Sequence, residues 1–168
     1  MPRELPAGGV LVPQRTYTSE RPVQEFEPVE PIRFVVGGKP GIRLDAALQE
    51  DTLELEGAGD MIQLPSGGQK IGIRLVWPGY EPWFKYISVS GTAPGQLITK
   101  GRFAFEIARV VRQCLQELGQ QSSTETATDW WASQVPLEQL VLLELHQVLR
   151  SSYQPVLCLI IPDSAPAA

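Results

Sequence analysis

The stretch "KIGIRLVWPGYEPWFKYI", residues 70–87, decides the class of fold. Its first half alternates strictly, with Ile71, Ile73 and Leu75 set against Lys70, Gly72 and Arg74, the period of a strand with one buried face. The strand stops near Trp77, because Pro78 has no amide donor and Pro78-Gly79 favours a turn. "WFKYISV" then resumes aromatic and β-branched composition, so the two segments form a hairpin or a strand with a corner. Trp77, Tyr80, Trp83, Phe84 and Tyr86 crowd this short span, and past the turn Trp83 takes one face while Phe84 and Tyr86 take the other. One set must be core, and the remainder offers flat surface of the kind enriched at recognition sites.

Downstream, "ITKGRFAFEIARVVRQCLQELG" (98–119) changes period. Phe103, Ile107, Val110, Val111, Cys114 and Leu118 form one helical stripe, with Thr99 as N-cap and Gly119 as the C-terminal stop. Upstream, "PIRFVV" and "GGKPGIRL" read as a Gly-turn hairpin with Ile32, Phe34 and Val36 on one face, and "LDAALQED" as a short helix. The run "PLEQLVLLELHQVLRSSYQPVLCLII" (136–161) fits two readings. It is a helix from Pro136 followed by a strand, or a hairpin in which Val141, Leu143 and Leu145 share a face; periodicity does not choose between them.

Residues 1–30 are rich in proline and charge without apolar period, which predicts a disordered arm; 163–168 predicts a disordered tail, and 31–162 a single domain. A length of 168 residues, 43% hydrophobic, suits one core with tails. The net charge of −5 argues against a protein devoted to wrapping nucleic acid, although a local basic patch remains compatible with binding it. Cys114 and Cys158 sit among aliphatic residues, where a thiol acts as a small hydrophobe, so no disulfide framework is expected. No apolar run reaches the length of a membrane helix or of a signal-peptide core, and the reading is an intracellular protein, in cytoplasm or nucleus, that does not engage membranes.

The chemistry-bearing motifs are sparse. His146 is the single histidine, with Glu144 two residues away and Ser151 or Ser152 across the turn, an outline of a hydrolase site that reads more simply as a hydrogen-bonded histidine at the core edge. Two distant cysteines and one histidine do not make a zinc site, and "VGGKPG" and "PSGGQK" lack phosphate-loop spacing; no metal or cofactor is expected. The acidic residues Asp45, Glu50, Asp51, Glu54, Glu56 and Asp60 read as a solvated edge. Lys100, Arg102, Arg109 and Arg112 put positive charge on the long helix, interrupted by Glu106 and Glu117. Trp130-Trp131 adds a second candidate for exposed aromatic surface.

Three groups of residues carry a resemblance: Trp77-Pro78-Gly79-Tyr80 with Trp83, then Ile98-Thr99-Lys100, then Tyr153-Gln154-Pro155. Over about residues 31–160 the chain resembles a family of uncharacterised proteins from mushroom-forming fungi, with Lys100 where that family often has arginine and Tyr153 where it often has tryptophan. The resemblance implies a fungal origin and a shared fold, tilts 136–161 toward the hairpin, and suggests that the corner packs with the helix start. It implies no activity.

The expected architecture is α+β: an antiparallel sheet of five or more strands covered on one face by one long amphipathic helix. The expected function is a non-catalytic interaction or regulatory module. Its partner-binding residues would be Trp77, Tyr80, Trp83, Lys100, Arg102 and Arg109, with Trp77 and Trp83 leaning into the core and Tyr80, at the tip, the ring first expected at the surface. A nucleic-acid-binding domain using the arginine-bearing helix, and a small hydrolase-like enzyme centred on His146, are the alternatives.

Overall fold

In the computed structural model the residues described are 4–19, 26–64, 69–91, 93, 95–121 and 130–161. The alternating stretch forms β6 (Lys70–Leu75) and β7 (Trp83–Ser88), antiparallel from Lys70↔Ser88 to Leu75↔Trp83. Ile71, Ile73 and Leu75 are fully buried, as their alternation requires. Between the strands the Pro78-Gly79 turn closes with the Tyr80 amide donating to the Trp77 carbonyl at 3.0 Å.

The helical stripe becomes α2 (Lys100–Leu118). Thr99 caps it, its Oγ1 accepting from the Arg102 amide at 3.2 Å, and Phe103, Ile107, Val110, Val111, Cys114 and Leu118 are all buried against the sheet.

The leucine run resolves as a hairpin, β8 (Leu140–Leu149) and β9 (Ser152–Ile160), paired from Leu140↔Leu159 to Leu149↔Ser152. A bulge between Leu142 and Glu144 resets the alternation. Leu145 therefore does not share a face with Val141 and Leu143: it joins Leu140 and Leu142 in the main core, while Val141, Leu143 and Cys158 form a second small core with Leu5 and Leu11. Both faces of β8 are covered, which is why it reads as an unbroken apolar run.

Upstream, β2 (Ile32–Arg33) and β5 (Ile42–Arg43) both pair with β8, and the turn between them rises as the small hairpin of β3 (Val35–Val36) and β4 (Lys39–Pro40). Phe34 is buried and Ile32 and Val36 are half-buried. α1 (Leu44–Leu48) follows and packs beside α2.

The class is α+β, with a seven-stranded sheet whose main order among the described residues is β2-β8-β9-β6-β7. The sheet is mixed where antiparallel pairing was expected. β6 and β9 run parallel at Gly72↔Ser152 and Ile73↔Tyr153, because the β6–β7 and β8–β9 hairpins dock through inner strands that point the same way.

Part of the N-terminal segment expected as a disordered arm joins the fold. β1 (Gly9–Leu11) pairs with the far end of β9, Gly9↔Ile160 to Leu11↔Cys158, where β6 has already diverged and β9 would expose an unpaired edge. Beyond β1 a strap is stitched on by two glutamines. Gln14 Nε2 donates to the Pro155 carbonyl at 2.8 Å, and its Oε1 accepts from the Val76 amide at 2.9 Å. Gln154 Oε1 accepts from the Tyr17 amide at 2.8 Å, and its Nε2 donates to Gln14 Oε1 and the Arg15 carbonyl at 3.1 and 3.0 Å. Buried Gln154 thus has its amide satisfied by the strap. The tail expected at 163–168 lies outside the described residues. Among those described, no helix is long and apolar enough to cross a membrane.

Candidate functional site

The aromatic corner folds inward. Trp77 is fully buried, its indole Nε1 donates to the Trp130 carbonyl at 2.7 Å, and the two indoles meet edge-on at 6.2 Å. Tyr80 corrects the expectation of a surface ring. It is 6% exposed, because the turn directs it under the 130–132 segment, where its hydroxyl accepts from the Ala132 amide at 3.2 Å. Trp83 is half-buried and donates through Nε1 to Glu117 Oε2 at 3.1 Å. These hydrogen bonds tie the corner to the last turn of α2 and the segment after it, not to the helix start. Trp130 and Trp131 are half-buried, so neither is a free platform.

Two of the arginines on the basic helix face are paired with carboxylates of the chain. Arg102 pairs with Glu50 at 3.3 Å and Glu106 at 3.1 Å and lies over the Phe105 ring, while Arg109 pairs with Glu106 at 2.7 Å. Lys100 sits 5.4 Å from the Phe34 ring centroid; burial holds its ammonium below the usual lysine range, partly offset by Glu56 and Asp60. Of the expected site residues, Arg102 and Arg109 are paired within the chain, Lys100 lies partly buried over the Phe34 ring, Trp83 is half-buried, and Trp77 and Tyr80 are interior.

His146 does meet its carboxylate. Nε2 lies 2.7 Å from Glu144 Oε1, and Arg33 Nε stands 3.5 Å from the other oxygen of that nearly buried side chain. A cavity of about 480 Å³ opens here, lined among others by Arg33, Phe34, Pro40, Leu143, Glu144 and His146, and the described lining includes no hydroxyl or thiol. The hydroxyl of Ser152 is engaged elsewhere, accepting from Arg74 Nε at 3.1 Å. The arrangement is a carboxylate held between an arginine and a histidine, and among the described lining residues no serine, threonine or cysteine stands beside it as a triad of the Ser-His or Cys-His kind requires. Among the described residues no group of three or more His, Cys, Asp or Glu side chains is placed to hold a metal.

Both cysteines are fully buried. Burial pushes the Cys158 thiol up to about 11, and burial, then Glu117, raises Cys114 further. A thiol-reactive chromogen such as DTNB at pH 8 is expected to leave the folded protein unmodified and to react with both cysteines once the chain is unfolded. Ionisation above the ordinary thiol value of 9.0 is open to the unfolded chain first, so stability falls as pH rises from there toward about 11. Rapid labelling of either thiol in the native state would contradict this burial.

On the face of the sheet turned away from α2, Phe84 and Tyr86 join a cluster with two residues that the sequence did not single out as site residues, Arg74 and Tyr17. Gly72 and Arg74 point there from β6, opposite Tyr86 and Phe84 of β7. The Arg74 guanidinium meets two rings, its carbon 4.3 Å from the centroid of Phe84 and 4.3 Å from that of Tyr17, which comes from the strap. Phe84 and Tyr86 meet edge to face at 4.5 Å and are 37% and 61% exposed. Gly72 provides the seat: a Cβ there would collide with the Phe84 ring and come within 2.9 Å of Ser152 Oγ. Among the described residues β7 ends the sheet and pairs with β6 alone. A cavity of about 460 Å³ opens beside this cluster, bounded by Arg15, Thr16, Tyr17, Arg74, Glu81 and Phe84 among others. The alternation of residues 70–75 does assign Arg74 to this face, and hairpin pairing sets it beside Phe84. Tyr17 carries no such signal, because the strap is placed by glutamine side chains rather than by periodicity.

Compared with protein-family models, with curated proteins and with solved structures, the chain matches none.

Proposed function

We propose that this chain is a non-catalytic interaction module that binds a protein partner, and that the surface it offers is the outer face of β6 and β7 rather than the WPGY corner. The observation that carries the reading is the exposure of Phe84 and Tyr86 together on a terminal strand, beside a guanidinium in contact with two rings. Aromatic and arginine side chains in this arrangement are the usual anchors of a recognition surface. Two features support it further: Arg102 and Arg109 of α2 already hold carboxylates of the same chain, and the described lining of the His146 cavity has no hydroxyl or thiol. The proposed setting is the interior of a fungal cell, on the strength of two buried thiols without a disulfide and of the motif resemblance.

The test is affinity capture from native cells with three baits: wild type, Phe84→Ser/Tyr86→Ser, and Arg102→Gln/Arg109→Gln. The expected result is a protein retained by the wild type and by the helix variant and lost from the ring variant, by about tenfold or more. Loss from the helix variant with retention by the ring variant would move the surface to α2.

A further inference from the structure

We infer that Arg74 is a carboxylate receptor: the cavity between the strap and the β6–β7 end of the sheet takes a glutamate or aspartate side chain of an acidic partner segment. The inference rests on the reading of that face as the partner surface, and names the chemistry it selects.

Among the described residues Arg74 is the arginine that lies over two aromatic rings. Its guanidinium carbon lies 4.3 Å from the ring centroids of both Tyr17 and Phe84, and its Nε is committed to Ser152 Oγ. The rotamer entropy that an arginine normally loses on binding has therefore already been lost in folding. What remains of the guanidinium is its terminal pair of nitrogens, a fork whose geometry fits a carboxylate.

Arg33, Arg43, Arg102 and Arg109 each hold a carboxylate of the chain itself. Among the described residues no carboxylate is paired with Arg74, nor with Arg15 or Arg112, but those two are exposed whereas Arg74 is half-buried. An arginine that is fixed, half-buried and, among the described residues, unpaired with a carboxylate is more costly than one that is paired, so its placement makes physical sense when a ligand supplies the charge.

The cavity walls favour a single negative charge. Arg15 and Arg74 contribute two positive charges and Glu81 one negative, and Thr16 and Thr18 add hydroxyls able to donate to an oxygen. A monoanionic carboxylate balances that wall, whereas a phosphate dianion brings a second charge close to Glu81. In a chain of net charge −5, this local surplus of positive charge also gives an acidic partner a preferred place to land.

The experiment follows the ¹⁵Nε resonance of Arg74 in the intact wild-type protein during titration with N-acetylglutamate α-amide, N-acetylglutamine α-amide and inorganic phosphate. The expected result is a saturable shift with the glutamate compound, with the glutamine compound at least about tenfold weaker. Glutamate and glutamine compounds acting alike would overturn the proposal, and so would phosphate saturating the site at a lower concentration than the glutamate compound. In the capture assay Arg74→Gln is expected to lose the partner about tenfold, with Arg74→Lys, which keeps the charge but not the fork, also impaired. The melting curve of each variant controls for folding, and the wild-type titration needs no variant. If Phe84→Ser/Tyr86→Ser abolishes capture while Arg74→Gln does not, the interaction surface stands and the carboxylate receptor falls.

Discussion

Trp77→Ala is expected to destabilise the fold by about 3–5 kcal/mol, the cost of emptying a large buried aromatic site. For a chain of this size that is a fall in melting temperature on the order of 10 °C. Trp77 is fully buried, stacks edge-on against Trp130 and donates its indole proton to the Trp130 carbonyl at 2.7 Å. The alanine variant loses both the volume and the link that holds the 130–132 segment over the corner. Tyr80 is then expected to be uncovered as well, since its hydroxyl is held by the Ala132 amide. Trp77→Phe separates the two contributions: it keeps most of the ring volume and loses the donor, for a cost of about 1–2 kcal/mol. Thermal unfolding of both variants makes the comparison, and an alanine variant that melts with the wild type would return the corner to the surface.

The second large effect is expected at Gly41, between β4 and β5. Its φ of +91° lies where side chains are strained, and an added Cβ would run into Val141 Cγ1 and come within 3.0 Å of Leu143 Cδ2. Val141 and Leu143 are themselves packed in the second core and have little room to yield. Gly41→Ala therefore combines about 1–3 kcal/mol of backbone strain with about 1–3 kcal/mol of overpacking. Gly38 supplies the control, because its φ is also positive, at +78°, while nothing lies within 4 Å of the Cβ position. Gly38→Ala should show the backbone cost alone. Chemical denaturation of the two variants tests this, and equal midpoints would mean that the collision with Val141 is relieved without cost.

The elements legible in the sequence were those with one buried face. β6 and α2 each bury one stripe, so their periods of two and of about 3.6 appear directly, and Thr99 and Pro78-Gly79 mark the ends where the structure has them. β8 is covered on both sides and bulged after Leu142, and either feature alone erases a two-residue period. The parallel docking of the two hairpins depends on which inner strands meet, which no local pattern records.

The candidate site was less legible because exposure is decided by distant partners. Tyr80 was expected outside because it occupies a turn tip, but its hydroxyl accepts from the Ala132 amide and its side chain is buried there. Arg102 and Arg109 read as open charges until Glu50 and Glu106 are placed beside them. Glu106 was visible as a neighbour on the helix; Glu50 came from another element. Arg74, by contrast, served in the sequence only as the polar half of an alternation, and its meaning depends on Tyr17 from a segment whose composition suggested no packing.

The claim at the centre of this account is that the partner meets the face bearing Phe84 and Tyr86. Site-specific photocrosslinking in native cells tests it most directly, with benzoylphenylalanine placed in turn at Tyr86 and at Arg109. Both side chains are reachable from solvent, so neither position is handicapped by burial. The expected result is a discrete crosslinked species from position 86 that is absent from position 109; a species from position 109 with none from position 86 would contradict the account.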